Sequence, residues 1–180
     1  LSSSSAASDV YKRQLYGIPI IVSTGMHHEY EIINAINFLR SYTNKIITLH
    51  CISTYPAPEE SLNLKYLNRL KSITSTLVGY SSHDSDIFSA PLAIANGACV
   101  IEKHITYDKN ASGTDHKASI LFDEMKALRM LMDKAYLMNG NGDKKELIQG
   151  EILNRSNLSK SLYLKKDVKK GDIINASHFQ

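Results

Sequence analysis

The sequence predicts an α/β protein built on a parallel sheet, and three observations support this. The 180-residue chain has an ordinary globular composition, with 43% hydrophobic and 22% charged residues. Four short apolar runs alternate with segments of helical periodicity. The runs are apolar almost throughout, as in parallel strands covered by helices. The commonest closed form of such units is the (β/α)₈ or TIM barrel, and four βα units make half of one.

The first two βα units follow a segment that we leave out of the fold prediction. Residues 1–14 are polar and low in complexity, and they look like translated sequencing-adaptor sequence. A strand is predicted over 17–23 and a helix over 28–40, which has apolar residues at helical spacing. The second strand is predicted over 45–51. After a proline-rich loop, a leucine-rich helix is predicted over 61–72.

Two further units complete the predicted half-barrel, which spans 15–140. Strand 76–81 precedes a helix over 86–96, which the next glycine ends. Strand 99–106 leads through a longer loop to a helix over 122–138. The methionines of this last helix are predicted to pack in the core: Met125, Met130, Met132 and Met138.

The remainder of the chain changes character. Residues 141–152 are predicted to form a polar linker. From 153 to 180, short apolar runs flank a basic turn, which indicates the opening of a small β-rich domain.

Charge, hydropathy and cysteine usage exclude several classes of function. The net charge is only +3, and the one dense basic cluster, at 165–170, is predicted to be a solvated turn, so no nucleic-acid partner is expected. No apolar run approaches the roughly 18 residues that a membrane span needs, so no membrane partner is expected. Cys51 and Cys99 lack the spacing of a zinc ribbon or a disulfide framework. A cytoplasmic location fits these features.

Two histidines stand at the ends of successive predicted strands, one βα unit apart. His83 closes one apolar run and His104 the next. Adjacent parallel strands carry such residues to the same rim, which is where α/β proteins place their chemistry. Two neutral imidazoles brought together there make a plausible divalent-metal site.

Four motifs in a fixed order resemble the N-acetylneuraminate (sialic acid) synthase family, which includes related nonulosonate and spore-coat polysaccharide synthases. The resemblance covers the chain from about residue 15 to its end. It rests on HCISTYPAP at 50–58, VGYSSH at 78–83, IEKHIT at 101–106 and DHKAS at 115–119, with STGM at 23–26 in addition. The resemblance implies the C-terminal half of a TIM barrel, followed at 153–180 by the start of an antifreeze-like (SAF) domain.

The family condenses phosphoenolpyruvate with a 2-acylamino sugar aldehyde such as N-acetylmannosamine and releases phosphate. The resemblance therefore implies a transferase in which His83 and His104 hold a divalent cation, Mn²⁺ or Mg²⁺. Glu102 lies two residues before His104, so strand alternation places the two on one face, and the resemblance makes Glu102 a catalytic acid or base or a substrate-binding group. Lys103 points the opposite way, toward the helices, and is interpreted as structural.

The resemblance also implies residues that bind the substrates. Ser23 and Ser81 match positions that hydrogen-bond the phosphate of phosphoenolpyruvate. Ser53 stands where some members carry Asn, and it is a further candidate substrate ligand. Tyr55 and Asp115 match residues that contact the sugar.

One local departure from the family pattern concerns the residues on either side of His83. The family usually has Asp before and Thr after this histidine, whereas here the neighbours are Ser82 and Asp84. Position 82 therefore lacks the family's carboxylate, which would support His83 as a metal ligand.

The resemblance further implies that the full-length enzyme is a homodimer, and that the 180 residues alone are inactive because the first four βα units are missing. Two alternatives stay open at this stage. One is a metal-dependent aldolase of the TIM-barrel class that uses pyruvate in place of phosphoenolpyruvate. The other is a non-catalytic half-barrel that self-associates.

Overall fold

The computed structural model describes residues 17–180, and the predicted lead at 1–14 lies outside them. The described residues divide into two compact units, one ending at Asn141 and the other spanning Gly142–Gln180. None of the helices that these residues form combines the length and the apolar composition of a bilayer span.

The first unit contains one sheet of four parallel strands in the order β1-β2-β3-β4. The strands are β1 (Ile20–Ser23), β2 (Ile46–Cys51), β3 (Leu77–Ser82) and β4 (Ile101–Lys103). Each strand pairs with the next in the sequence, so every connection is a βα crossover. The predicted half of a TIM barrel is confirmed.

Four helices cover one face of this sheet: α1 (Glu29–Arg40), α2 (Tyr66–Thr74), α3 (Ser89–Ala95) and α4 (Phe122–Asn139). Their apolar residues recur at helical spacing and pack against every second strand residue, which forms the main core. Its best-buried members are Ile36, Leu67, Leu70, Val78, Tyr80 and Ala93. The strand residues between them face the other way, toward the candidate site.

The second helix and the fourth strand differ most from their predicted bounds. The second helix begins at Tyr66, later than predicted, because Glu59–Ser61 forms a 3₁₀ turn and Asn63 takes a left-handed φ of 42°. The fourth strand is shorter than 99–106, because the chain leaves β3 after Lys103. Beyond that point it pairs instead with Ile120.

The methionine prediction for α4 is wrong for three of the four residues. Met125 is 39% exposed, Met130 is 62% exposed and Met138 is 84% exposed, whereas Met132 packs against the core. Leu128 is the helix's buried residue, and at about 100° per residue Met130 lies on the opposite side of the helix from it.

The second unit contains a helix, α5 (Gln149–Leu158), and an isolated antiparallel bridge between Leu164 and Phe179. The helix crosses the predicted border between a linker at 141–152 and a domain at 153–180. It begins there because the Glu151 carboxylate accepts the backbone N–H of Ile148, which caps its first turn. The SAF domain remains a prediction.

Candidate active site

The C-terminal ends of β2, β3 and β4 bring polar side chains together on the face of the sheet away from the helices. The register pairs Cys51 with Ser81, and Ser81 with Glu102. Paired residues of parallel strands point to the same side, and side chains two residues farther along do so again. His83 and His104 therefore join Ser81 and Glu102 at one rim.

His83 is held in one tautomer by the backbone of the neighbouring loop. Its ring is 4% exposed, and its Nδ1 lies 2.8 Å from the carbonyl oxygen of Ile52. A carbonyl can only accept a hydrogen bond, so Nδ1 carries the proton and a neutral ring presents the lone pair of Nε2. The thiol of Cys51 lies behind the ring, with Sγ 3.7 Å from Nδ1.

Three rings form the centre of the rim. The centroids of the His83 and His104 rings are 5.4 Å apart. Tyr55 stacks on His83 at 4.2 Å and meets His104 edge-on at 5.8 Å. Its hydroxyl donates to Nε2 of His83 over 3.2 Å. Partial burial, together with the thiol of Cys51 and the carboxylates of Asp115 and Glu102, raises the pKa of Tyr55.

Ser81 and Glu102 stand beside the histidines. The Ser81 hydroxyl donates to Oε1 of Glu102 over 2.9 Å and lies 3.4 Å from Nε2 of His83. The hydroxyl hydrogen of Ser81 is therefore engaged by Glu102, and a phosphate could take it only after the hydroxyl rotates.

The donor set fits a catalytic cation site with two protein ligands. A cation would bind Nε2 of His83 in place of the Tyr55 hydroxyl, and the His104 ring is close enough for one cation to contact a nitrogen of each, since such bonds are about 2 Å long. Across residues 17–180, no cluster of three or more His, Cys, Asp or Glu side chains is arranged to hold a metal. The remaining ligands would therefore be substrate or water.

The other predicted site residues lie around this cluster at different distances. Asp115 opens a 3₁₀ turn (Asp115–Ala118), is exposed, and is close enough for its charge to act on Tyr55. The Ser53 hydroxyl lies 3.7 Å from the Cys51 sulfur. Ser23 ends β1 in register with Leu49 and is exposed, so it stands two strands from Ser81.

Two features next to the site were not predicted. No role in the site was predicted for Cys51, yet its sulfur contacts the His83 ring. Behind the rim, on the helix side, Asp84 and Lys103 form a buried ion pair with Nζ 3.7 Å from Oδ2. The available signal was strand alternation, which places Ser82, Asp84 and Lys103 on the same face.

Comparison with known proteins shows which sequences this chain is similar to. The N,N'-diacetyllegionaminic acid synthase of Campylobacter jejuni is 45% identical over 159 residues, covering 87% of this chain and 47% of that protein. The human N-acetylneuraminate-9-phosphate synthase is 29% identical over 163 residues, covering 88% and 44%. The chain thus spans about half the length of these relatives.

Solved structures show the same fold. The N-acetylneuraminic acid synthetase of Leptospira borgpetersenii, crystallised with citrate, superposes with a TM-score of 0.74 at 31% identity, covering 86% of this chain and 55% of that one. The spore coat polysaccharide biosynthesis protein of Bacillus subtilis gives 0.67 at 31% identity, covering 79% and 40%. Residues 10–144, which include every residue of the rim, match the NeuB family. The chain belongs to the NeuB family.

Proposed function

We propose that the protein containing this chain condenses phosphoenolpyruvate with a 2-acylamino sugar aldehyde to form a sialic acid-type nonulosonic acid and phosphate. The observation that carries the proposal is the rim itself: two imidazoles 5.4 Å apart, beside a carboxylate and a phenol, at the C-terminal ends of adjacent strands. Family membership and the names of the relatives support the same reaction class.

The proposed reaction forms one carbon–carbon bond, forms one carbon–oxygen bond from water and breaks the carbon–oxygen bond to phosphate. The enol carbon of phosphoenolpyruvate bonds to the aldehyde carbon, and the aldehyde oxygen takes up a proton. Water adds to the phosphate-bearing carbon and loses a proton, and that carbon's bond to the phosphate oxygen breaks. The products are the nine-carbon keto acid and inorganic phosphate.

His83 and His104 would hold Mn²⁺ or Mg²⁺. When bound, the cation supplies Lewis-acid polarisation of the aldehyde oxygen. The protein's own part would be to orient the imidazoles, and the Ile52 carbonyl does this for His83 by accepting a hydrogen bond from its Nδ1.

Glu102 is proposed to move protons. Its carboxylate accepts the Ser81 hydroxyl and lies at the same rim as both histidines. It would take the proton that the attacking water loses, or give a proton to the former aldehyde oxygen as the new hydroxyl forms. The Ser81 hydroxyl orients this carboxylate until it rotates to donate to the phosphate.

The substrate contacts divide between the two sides of the rim. Ser81 and Ser23 are proposed to donate to the phosphate group, with Ser53 between their strands. Tyr55 and Asp115 are proposed to bind the sugar, because a phenol can pack on a sugar ring and a carboxylate can accept from its hydroxyls. The homodimer remains part of the proposal, as does a cytoplasmic location, where Cys51 would stay a free thiol.

The test is a chimera in which residues 17–180 replace the matching segment of the Campylobacter jejuni synthase. Phosphate release is measured with phosphoenolpyruvate and, in turn, N-acetylmannosamine and the amino sugar precursors of legionaminic and pseudaminic acid. The chimera is expected to release phosphate only when both substrates are present. The 180-residue chain alone is expected to release none.

Variants of the two histidines test whether the rim carries out the proposed chemistry. His83→Ala or His104→Ala is expected to lower phosphate release about 10³-fold, since metal-type polarisation contributes several kcal/mol. The matched control is His178→Ala, which removes a histidine of the second unit and is expected to keep full activity. Wild-type rates in both rim variants would refute the proposal. Product formation from pyruvate without phosphoenolpyruvate would favour the aldolase.

A further inference from the structure

A buried polar cluster lies on the helix-facing side of the sheet, directly behind His83. Its two charged members are Asp84 and Lys103, whose side chains are 4% and 2% exposed. Three hydroxyl residues, each at most 6% exposed, complete it: Tyr80, Ser82 and Ser89. The proposed chemistry uses none of these groups.

The Asp84 carboxylate is saturated by hydroxyl donors from two elements. The Ser82 hydroxyl donates to Oδ1 over 2.6 Å, and the Tyr80 hydroxyl does so over 3.0 Å. The Ser89 hydroxyl, from the first residue of α3, lies 2.9 Å from both carboxylate oxygens. The carboxylate therefore joins the end of β3 to the start of α3.

Lys103 connects the same carboxylate group to β4. Its Nζ donates to the Ser82 hydroxyl over 2.8 Å and to the backbone carbonyl of Asp84, and lies 3.7 Å from Oδ2. Nothing in this arrangement is left unpaired, because no described buried side-chain nitrogen or oxygen lacks a partner.

The ion pair sits at the level of the histidine pair. Asp84 directly follows His83, and Lys103 lies between Glu102 and His104. Strand alternation turns the two charged side chains toward the helices and the three site residues toward the rim. The ion pair therefore links the residue that follows His83 to the residue that precedes His104.

Net stability alone does not explain a buried ion pair at this position. Removing two charges from water is costly, and well-packed apolar residues of similar volume usually stabilise a fold at least as well. An ion pair held by six hydrogen-bond contacts differs from apolar residues because it favours a single geometry.

We propose that Asp84 and Lys103, closed by Ser82, are positioning residues that hold His83 and His104 at metal-binding distance. This proposal accounts for the departure from the family pattern at Ser82 and Asp84. Positions 82 and 84 lie two residues apart on one face, so a carboxylate at either can meet Lys103 while a hydroxyl fills the other. Ser82-His83-Asp84 would then supply the same contact to Lys103 as the family's usual Asp-His-Thr sequence. The inference rests on the proposed function only for the role of the two histidines.

The test uses four variants of the full chain. Asp84→Asn removes the charge at constant volume, and Asp84→Asn/Lys103→Met removes both charges. Ser82→Asp/Asp84→Ser exchanges carboxylate and hydroxyl. The control is Asp123→Asn, whose carboxylate is 94% exposed on α4.

Two readouts need no substrate. The imidazole ¹⁵N resonances of His83 report its tautomer without metal, and the free-ion electron paramagnetic resonance signal reports Mn²⁺ affinity. In wild type, the two ring nitrogens of His83 are expected to give two well-separated ¹⁵N resonances. Asp84→Asn should average them and weaken Mn²⁺ binding about 10- to 100-fold. The exchange variant and the control should stay within about 3-fold of wild type.

The double variant separates positioning from stability. Without an unpaired buried charge, it should regain the thermal midpoint of wild type, yet keep the averaged His83 resonances and the weak Mn²⁺ binding. If Asp84→Asn does not fold, the double and exchange variants decide. Wild-type resonances and affinity in the double variant would overturn the proposal, as would averaged resonances in the exchange variant or in wild type. Failure of the chimera's synthase assay with these results intact would count against the proposed function alone.

Discussion

At the scale of single residues, the candidate site depends on one backbone carbonyl. Ile52 accepts the Nδ1 proton of His83, and that single bond decides which ring nitrogen faces the rim. Tyr55 then meets this nitrogen through its hydroxyl and covers the ring by stacking. The Tyr55 side chain therefore makes two separable contacts with His83, a hydrogen bond through its hydroxyl and stacking through its ring.

Tyr55→Phe tests the polar function, because it keeps the stacking ring and removes only the hydroxyl. Partial burial and the neighbouring negative groups raise the pKa of Tyr55, so at neutral pH the phenol is a donor. In the chimera, we expect the KM for the amino sugar to rise about 3- to 10-fold, as for the loss of one hydrogen bond, with the KM for phosphoenolpyruvate within about twofold. Steady-state kinetics with each substrate varied provide the measurement.

The control for this variant is Tyr136→Phe, the same change on the exposed surface of α4, where Tyr136 is 73% exposed. An unchanged KM for the sugar in Tyr55→Phe would remove the phenol from the proposed sugar contacts.

The histidine rim was predictable from sequence because it needs only strand order and alternation. His83 and His104 end successive strands, and Glu102 shares the face of His104. The ion pair behind them was not predictable in the same way. Asp84 and Lys103 are polar residues near strand ends, which are usually solvated, and only the packing of α3 over them makes the pair buried.

At the scale of elements, the same contrast appears in the helix and strand bounds. The periodicity of α1 and the apolar run of β2 were sufficient to predict both elements closely. The late start of α2 depends on the backbone of Asn63, and the short β4 depends on a tertiary partner at Ile120. Neither cause can be recognised from the local pattern of apolar residues in the sequence.

The junction of β3, α3 and β4 has a pH dependence that follows from its charges. Burial opposes ionisation of Asp84, but the hydroxyls of Ser82 and Ser89 and the charge of Lys103 outweigh it, so the pKa of Asp84 lies below its ordinary value of 3.8. A group with a lowered folded-state pKa stabilises the fold above its unfolded pKa, and this contribution is lost as the pH falls through the folded value. Burial lowers the pKa of Lys103.

We therefore expect wild type to lose stability below about pH 4 more steeply than Asp84→Asn/Lys103→Met. Urea unfolding of both proteins between pH 2 and pH 7 measures this difference. The comparison isolates Asp84 because carboxylates such as Glu29 and Glu124, whose pKa values are also lowered, are present in both proteins. Parallel curves across this range would show that Asp84 is not held ionised by its neighbours.

At the scale of the whole molecule, the two compact units differ in how much they bury. The central strands carry side chains closed to solvent, such as Leu49 at 0% and Val78 at 1%. In the unit Gly142–Gln180, no residue is buried. Burial of apolar surface is the main favourable contribution to folding, so the two units should open at different free energies.

Native-state hydrogen exchange of the full chain tests this difference directly. Amides of β2 and β3 are expected to exchange only through global unfolding, because their bonds lie inside the sheet and beneath α1 and α2. Amides of α5 should exchange through local opening, with protection factors at least about 10³-fold lower, a gap of about 4 kcal/mol. Adding denaturant should raise the exchange rate in β2 and β3 and leave α5 nearly unchanged, since local opening exposes little surface. Equal protection in α5 and β3, with equal denaturant dependence, would instead mean that the two units unfold as one.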